Sequence, residues 1–279
     1  MQTIRQYICQ SLNDLYPEGE RKAIADYILF EIFHLDKLDI YTGKDTKLSP
    51  EQQDKLTDII LRLQKFEPIQ YIAGEAWFCG LSFKVDKSVL IPRPETEELV
   101  EWIVKDNNIP APKILDIGTG SGCIPIILRI HLAGATISAW DISEEALKCA
   151  KANNEKMHSN IQFEQVDILT YDWDGTTKYD LIISNPPYVT QSEKKQMDKN
   201  VLDWEPSSAL FVTDEDPLLF YRTIAAKGLG MLNPGGKLFF EINQAYGNEL
   251  VELLKACGYS RTEIKKDIAG KDRMIKASL

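Results

Sequence analysis

Apolar side chains in the first 75 residues recur at the spacing of amphipathic helices. They return every three or four positions in the stretches 4–12, 23–33 and 56–63, which predicts at least three helices. The third stretch follows residues 49–52, where serine, proline and glutamine form the pattern of a capping box. We therefore expect residues 1–75 to form a small helical domain.

The pattern changes over residues 76–93, where short apolar and aromatic runs on either side of Gly80 predict a β-hairpin that connects two domains. Across 94–279, short apolar strands alternate with helical patterns, for example at 143–154 and 217–229. The predicted strands are 113–117, 136–141, 161–167, 180–184 and 237–242. This alternation is typical of an α/β domain with a mostly parallel sheet that is covered on both faces.

The overall composition narrows the class of protein. The 279 residues are 44% hydrophobic and 27% charged, which are ordinary values for a folded globular chain. The net charge of -10 opposes unspecific attraction to nucleic acid and to anionic membrane surfaces. The five cysteines show no CxxC spacing, so we expect neither a disulfide framework nor a metal site. Because no apolar leader or membrane-spanning run is present, we expect a cytoplasmic protein.

A glycine-rich loop follows the first predicted strand of the α/β domain. It consists of Gly118, Thr119, Gly120, Ser121 and Gly122. Ligands of such sheets bind at the carboxyl ends of the strands, and glycines let a ligand approach the main chain closely. A dinucleotide-binding loop spaces its glycines as GxGxxG, whereas this loop reads GxGxG. The spacing favours S-adenosylmethionine, which has no pyrophosphate; a glycine-rich turn without a ligand is the alternative.

Two carboxylates end the following strands. Asp141 ends the second strand about twenty residues after the loop, where a carboxylate can accept hydrogen bonds from ribose hydroxyls. Its alternative role is that of an acid at the start of the helix near Ser143. Asp167 ends the third strand, and we expect it to face the adenine amino group, with a solvated loop carboxylate as the alternative.

The fourth predicted strand runs into Asn185, Pro186, Pro187 and Tyr188, which we call the NPPY turn. Two prolines fix φ at about -65° and remove two amide donors, so the turn is stiff and presents acceptors. An NH2 group can donate to the Asn185 side-chain carbonyl and the Pro186 main-chain carbonyl, while the Tyr188 ring covers a planar substrate. These acceptors would orient a poorly nucleophilic amide or aromatic amine toward a methyl donor. For the tetrapeptide alone, a rigid exit from a strand is the alternative.

Together, the glycine loop and the NPPY turn resemble those of the PrmC/HemK family of protein-(glutamine-N5) methyltransferases, which modify class I peptide chain release factors. The resemblance extends to the blocks 68–74 and 91–97, and to Glu205, Pro206, Ala209, Leu210, Phe240, Glu241, Ile242, Gly270, Asp272 and Arg273. It implies a seven-stranded, Rossmann-like class I S-adenosylmethionine-dependent methyltransferase domain. It also implies that the helical domain helps to recognise the release factor, whose Gly-Gly-Gln glutamine is the substrate.

The resemblance assigns roles to individual residues. It implies that the loop glycines and Asp141 hold the cofactor and that Asn185 touches both the cofactor and the glutamine. Pro186, Pro187 and Tyr188 would frame the substrate amide.

Other positions of the family pattern bear on the cofactor or depart from that pattern. Ile168 stands near the adenine, where some relatives have tryptophan, and Asn243 stands where glycine is frequent. Arg93 and Thr96 would lie near the cofactor, unless Arg93 is paired with a neighbouring glutamate. The segment 212–218 lacks the glycines of many relatives, so we expect a stiffer loop.

Two other functions remain possible for these motifs. An NPPY turn can also hold an exocyclic base amine, so a nucleic-acid methyltransferase acting on adenine N6 or guanine N2 is the principal alternative. The net charge of -10 and the acidic balance of the helical segment argue against it. A catalytically silent cofactor-binding scaffold is the other alternative, and the intact NPPY turn argues against that.

Overall fold

The computed structural model describes residues 3–41 and 47–279, which form two compact units. One unit contains 3–41 and 47–74 together with Asp198–Trp204, and the other contains Glu75–Met197 and Glu205–Leu279. The helices are α1 Ile4–Ser11, α2 Glu18–Tyr27, α3 Lys37–Tyr41, α4 Pro50–Leu63, α5 Ile69–Ala73, α6 Pro94–Asp106, α7 Cys123–His131, α8 Glu144–Met157, α9 Lys199–Leu202, α10 Ser207–Leu210, α11 Leu219–Met231 and α12 Gly247–Cys257. The strands are β1 Glu75–Phe78, β2 Leu81–Lys84, β3 Lys113–Ile117, β4 Thr136–Asp141, β5 Gln162–Gln165, β6 Tyr179–Ser184, β7 Val189–Thr190, β8 Phe211–Val212, β9 Leu232–Glu241, β10 Arg261–Lys266 and β11 Asp272–Ser278. No helix in these ranges is long and apolar enough to cross a membrane.

The helical unit has its own apolar core, in which Ile8 of α1 and Leu12, the residue after its end, pack with Leu63 of α4. The predicted capping box forms at the start of α4, where the Ser49 hydroxyl accepts from the Gln52 amide and the Gln52 side chain accepts from the Ser49 amide. Asp198–Trp204 belongs to this unit although it lies far away in the sequence. The Trp204 indole attaches it by donating to the Lys65 carbonyl at 3.1 Å.

The second unit contains the predicted α/β fold. Its seven-stranded sheet has the order β10-β11-β9-β6-β3-β4-β5. The strands from β9 to β5 are parallel, whereas β11 runs antiparallel to both of its neighbours. Apolar clusters cover both faces of the sheet, as expected for central strands that are apolar on both sides.

Three of the five predicted strands have different bounds in the structure. The third is Gln162–Gln165 rather than 161–167, the fourth is Tyr179–Ser184 rather than 180–184, and the fifth is Leu232–Glu241 rather than 237–242. The hydrophobic pattern gave no signal for β10 and β11. Charged side chains interrupt β10, which lies at the edge of the sheet and is half exposed, so its pattern resembles that of a surface loop.

The predicted hairpin forms from β1 and β2 and packs as part of the α/β unit. Its two turn residues, Cys79 and Gly80, have φ values of 48° and 75°, which is the backbone of a tight hairpin turn. The buried Asn153 side chain of α8 accepts from the Lys84 amide at 2.7 Å and donates to the Ser121 carbonyl at 2.9 Å. One amide side chain thus joins the hairpin to the glycine loop.

Candidate active site

A cavity of about 390 Å³ opens at the carboxyl ends of β3, β4 and β6, which are neighbours in the sheet. Of the site residues predicted from the sequence, the cavity wall contains Gly118, Thr119, Gly120, Ser121, Asp141, Asp167, Ile168, Asn185, Pro186 and Pro187. Gly122 and Tyr188 do not line the cavity within the described part of the chain. The sheet therefore brings the glycine loop and most of the NPPY turn into a single space.

The glycine loop is fixed by hydrogen bonds from its backbone. The Gly118 and Thr119 amides both donate to the Trp140 carbonyl on β4, at 2.8 and 3.0 Å. Gly122 has a φ of +77°, and a Cβ at this position would lie 3.2 Å from the Ala150 Cβ. The loop therefore needs glycine for its backbone conformation and for close packing against α8.

The Asp141 carboxylate joins the loop to the next helix. Its Oδ2 accepts from the Gly120 amide and its Oδ1 from the Ser143 amide, both at 2.9 Å. Burial raises the pKa of Asp141, and these backbone amides oppose the increase. Each carboxylate oxygen can accept more than one hydrogen bond, so Asp141 can still bind ribose hydroxyls.

Asp167 is also held by its own loop. Its Oδ1 accepts from the Leu169 amide at 2.9 Å, and its Oδ2 accepts from the Thr170 hydroxyl at 3.1 Å. The neighbouring Ile168 side chain is buried, and both residues line the cavity beside the exposed Ile142. Aliphatic side chains next to a fixed carboxylate suit a flat base with an amino group.

Asp116 was not predicted as a site residue, although it precedes the glycine loop by two positions. Its side chain is fully buried, and neither of its oxygens has a hydrogen-bond partner among the described residues. The Thr119 hydroxyl lies close to it without a well-formed hydrogen bond and is likewise unpartnered in the described part of the chain. Burial raises the pKa of Asp116 to about 7, and the charge of Asp141 adds to the rise. Asp116 does not itself line the cavity, although the next residue, Ile117, does. A buried carboxyl without a hydrogen-bond partner is a candidate partner for a cation.

Asn185 and Pro186 follow β6 directly, and the Ser184 hydroxyl fixes the end of this strand by donating to the Ile117 carbonyl at 2.7 Å. The NPPY turn begins between the glycine loop and α6. Pro186 and Pro187 have no amide hydrogens, so the main chain at these two residues offers the cavity only hydrogen-bond acceptors.

Behind the turn lies a buried polar network that no local sequence pattern predicts. The Glu241 carboxylate at the end of β9 accepts from the Thr96 hydroxyl at 2.6 Å and from the Tyr188 hydroxyl at 3.1 Å. Asn243 donates to the Tyr188 carbonyl at 3.2 Å, so the asparagine that departs from the family pattern helps to hold the turn. In the sequence, Thr96 and Glu241 stood out only as members of family blocks, whereas Tyr188 belongs to the NPPY turn and Asn243 departs from the family pattern.

Arg93 forms an ion pair, but its partner is not one of the neighbouring glutamates. Its guanidinium binds Glu205, whose other oxygen accepts from the Ile91 amide at 3.2 Å. The Glu205 side chain is only 1% exposed. The pair therefore joins the two family blocks at the cavity, and because its members are 112 residues apart no local sequence pattern predicts it.

The fold and this site define a class I methyltransferase. A methyltransferase from Pyrococcus furiosus has the same fold, with a TM-score of 0.53 at 18% identity over 82% of this chain and 98% of that one. The family models for the PrmC N-terminal domain and the methyltransferase small domain match residues 3–74 and 95–203.

Two curated relatives identify the family. The release factor glutamine methyltransferase of Bacteroides thetaiotaomicron is 54% identical over 100% of both chains. That of Flavobacterium psychrophilum is 46% identical over 98% of this chain and 97% of its own. The chain belongs to the release factor glutamine methyltransferase family, and the resemblance stated from the sequence is confirmed.

Proposed function

We propose that this protein transfers a methyl group from S-adenosylmethionine to the side-chain amide nitrogen (N5) of the glutamine in the Gly-Gly-Gln motif of class I peptide chain release factors, and so supports translation termination. The observation that carries the proposal is the single cavity that extends from the glycine loop to the NPPY turn. A donor bound at the loop and an amide bound at the turn would share that space. The full-length similarity to release factor glutamine methyltransferases supports this choice of acceptor.

The chemical groups around the cavity fit S-adenosylmethionine. Asp141 would accept the ribose hydroxyls, and Asp167 with Ile168 would hold the adenine. The buried carboxyl of Asp116 matches the cofactor's ammonium group, since it has no other partner among the described residues. Gly118, Thr119, Gly120 and Ser121 complete the cofactor site, and Gly122 contributes by letting the loop pack closely against α8. When bound, this cofactor supplies an electrophilic methyl group on a sulfonium sulfur.

The NPPY turn then has the task of making an amide nitrogen reactive. The Asn185 side-chain carbonyl and the Pro186 main-chain carbonyl would accept the two N–H bonds of the glutamine amide. These acceptors hold the nitrogen in position and stabilise the positive charge that develops on it, after which a proton is lost to solvent. Pro187 keeps the turn stiff, and Tyr188, anchored on Glu241, holds its ring beside the turn.

The same proposal assigns a partner to the helical unit. The match to the PrmC N-terminal domain over 3–74 supports a role for 1–75 in recognising the release factor, with the hairpin 76–93 leading to the catalytic domain 94–279. The net charge of -10 argues against a direct nucleic-acid partner. All five cysteines are free thiols, which suits a cytoplasmic enzyme.

The test offers isotopically labelled S-adenosylmethionine together with one of four acceptors. These are a class I release factor, the same factor with the tripeptide glutamine replaced by alanine, DNA, and RNA. We expect label only on the unaltered release factor. Labelling of DNA, of RNA or of the glutamine-less factor would contradict the proposal, and the Asn185→Ala enzyme serves as the matched control for background transfer.

A further inference from the structure

Three polar side chains form a chain from the interior of the α/β unit to the cavity. Glu241 is 1% exposed and Thr96 is 3% exposed, while Asn185 lies on the cavity wall. The Thr96 hydroxyl lies 2.6 Å from Glu241 Oε2, and Asn185 Nδ2 lies 3.4 Å from Thr96 Oγ1. They come from three separate elements, β9, α6 and the turn after β6, so the fold alone brings them together.

The direction of each hydrogen bond follows from the number of protons available. An ionised carboxylate only accepts, so the single Thr96 proton is donated to Glu241. The Thr96 oxygen can then only accept a hydrogen bond from Asn185. The Asn185 NH2 group must therefore face Thr96, and its Oδ1 is the amide atom that remains free to accept from a ligand.

Hydrogen bonds must determine which end of the Asn185 amide faces the ligand, because the oxygen and the NH2 group of an asparagine amide have nearly the same shape. Rotation by half a turn exchanges Oδ1 and Nδ2 with little steric effect, so hydrogen-bond partners decide which one faces the cavity. With Nδ2 toward the substrate, donors would face the donors of the substrate amide. The turn would then repel the group that it must hold.

The arrangement needs Glu241 in its ionised form, and the geometry provides for it, because the Thr96 and Tyr188 hydroxyls each donate to one of its carboxylate oxygens. Burial still leaves the pKa of Glu241 raised, and the two hydroxyls and the positive charge of Arg273 oppose that rise only in part. Burial also raises the pKa of Tyr188, which keeps its hydroxyl protonated as a donor to Glu241. The Tyr221 hydroxyl fixes the backbone of the same residue by donating to the Glu241 carbonyl at 3.1 Å.

We propose that Glu241 and Thr96 are positioning residues that orient the Asn185 amide so that its Oδ1 accepts an N–H of the substrate amide. This inference rests on the proposed function for the identity of that substrate. The orientation itself, however, is a property of the protein alone, so it can be tested without turnover.

Kinetic variants test the effect on the reaction. Thr96→Val keeps the shape of the side chain but removes the hydroxyl, and we expect kcat to fall roughly 10- to 100-fold while the Kd for the cofactor changes less than about threefold. Thr96→Ser restores the hydroxyl and is expected to recover most of the lost kcat. Thr136→Val, at the exposed opposite end of β4, is the matched control and should leave kcat unchanged.

Two further variants separate positioning from a general structural role. In an Asn185→Ala background, Thr96→Val should cost less than about twofold in kcat, because Thr96 acts through Asn185. Glu241→Gln should lower kcat as Thr96→Val does, since the new amide can donate to Thr96 and release its proton toward Asn185. Additive losses, or failure of serine to restore kcat at an unchanged melting temperature, would overturn the proposal.

Neutron diffraction of the deuterated protein examines the orientation directly. We expect the deuterium on Thr96 Oγ1 to point to Glu241, and the deuterated NH2 group of the Asn185 side chain to face Thr96. The reverse orientation would overturn the inference whatever the enzyme's substrate is. By contrast, a wild-type enzyme that shows the expected deuterium positions but does not label a release factor would contradict only the proposed function.

Discussion

Replacing Asp116 by asparagine should change how the stability of the unliganded protein depends on pH. The pKa of Asp116 is about 7, raised from 3.8 mainly by burial, so the folded state binds more protons than the unfolded state between about pH 4 and pH 7. Protonated Asp116 therefore makes its full contribution to the free energy of unfolding below pH 4, and this contribution is lost as the pH rises to about 7. Asparagine has nearly the same shape but cannot ionise.

The size of the change in the free energy of unfolding follows from how far burial raises the pKa of Asp116. About three pKa units at about 1.4 kcal/mol each give an upper limit of about 4 kcal/mol in the free energy of unfolding. We therefore expect Asp116→Asn to gain stability over the wild type between pH 5 and pH 8, by an amount on the order of 1–4 kcal/mol. Urea unfolding of both proteins at several pH values measures the difference. An identical pH dependence in the two proteins would show that Asp116 does not ionise in this range.

Whereas Asp116→Asn should stabilise the unliganded protein, it should weaken the binding of the cofactor. A bound ammonium stabilises the ionised carboxylate, so Asp116→Asn should weaken S-adenosylmethionine binding at pH 8 by roughly tenfold or more, the loss of one charge-assisted hydrogen bond. Adenosine lacks the ammonium group and should bind both proteins equally. Titration calorimetry with the two ligands measures this. Equal losses for both ligands would indicate a distorted site rather than a lost ion pair.

Three other substitutions give separate tests of the site. Asn185→Ala should lower kcat by about 10² to 10³ fold while cofactor binding remains, because it removes a preorganised acceptor; unchanged turnover measured with a release factor would contradict that role. Gly122→Ala should destabilise the fold by roughly 1–3 kcal/mol because of its positive φ and close contact, whereas Gly19→Ala on the open surface of α2 should stabilise it slightly; equal melting temperatures would refute this contrast. Arg93→Ala should destabilise by roughly 3 kcal/mol, since it leaves the buried Glu205 unpaired, and Glu205→Gln in the same background should recover part of the loss in urea unfolding.

The parts of the fold that follow local pattern could be predicted from the sequence. The bounds of β3 and β4 match the predicted 113–117 and 136–141, because central strands are apolar on both faces and end at marked turns. The edge strand β10 carries alternating charges that resemble those of a loop, so periodicity did not reveal it. Attachment of Asp198–Trp204 to the helical unit depends on contacts with no local signal.

The residues of the candidate site likewise fall into two groups, those that a local sequence pattern marks and those that only folding brings together. The glycine loop and the NPPY turn could be singled out from the sequence as a candidate site, because their glycines and prolines impose a backbone that few other functions need. Thr96 and Glu241 are 145 residues apart, and the Arg93 partner is similarly remote, so only the folded chain shows these pairs. Asp116 is adjacent to the loop, but its significance is its burial without a partner, which the sequence does not display.

We propose that the NPPY turn presents a glutamine amide to a methyl donor. Tandem mass spectrometry of a release factor, after incubation with the enzyme and S-adenosylmethionine, locates any added methyl group on a single residue. We expect one added methyl on the side-chain nitrogen of the Gly-Gly-Gln glutamine, and none when Asn185→Ala replaces the wild-type enzyme. A methyl group on any other residue, or an unmodified glutamine after incubation with active wild-type enzyme, would contradict it.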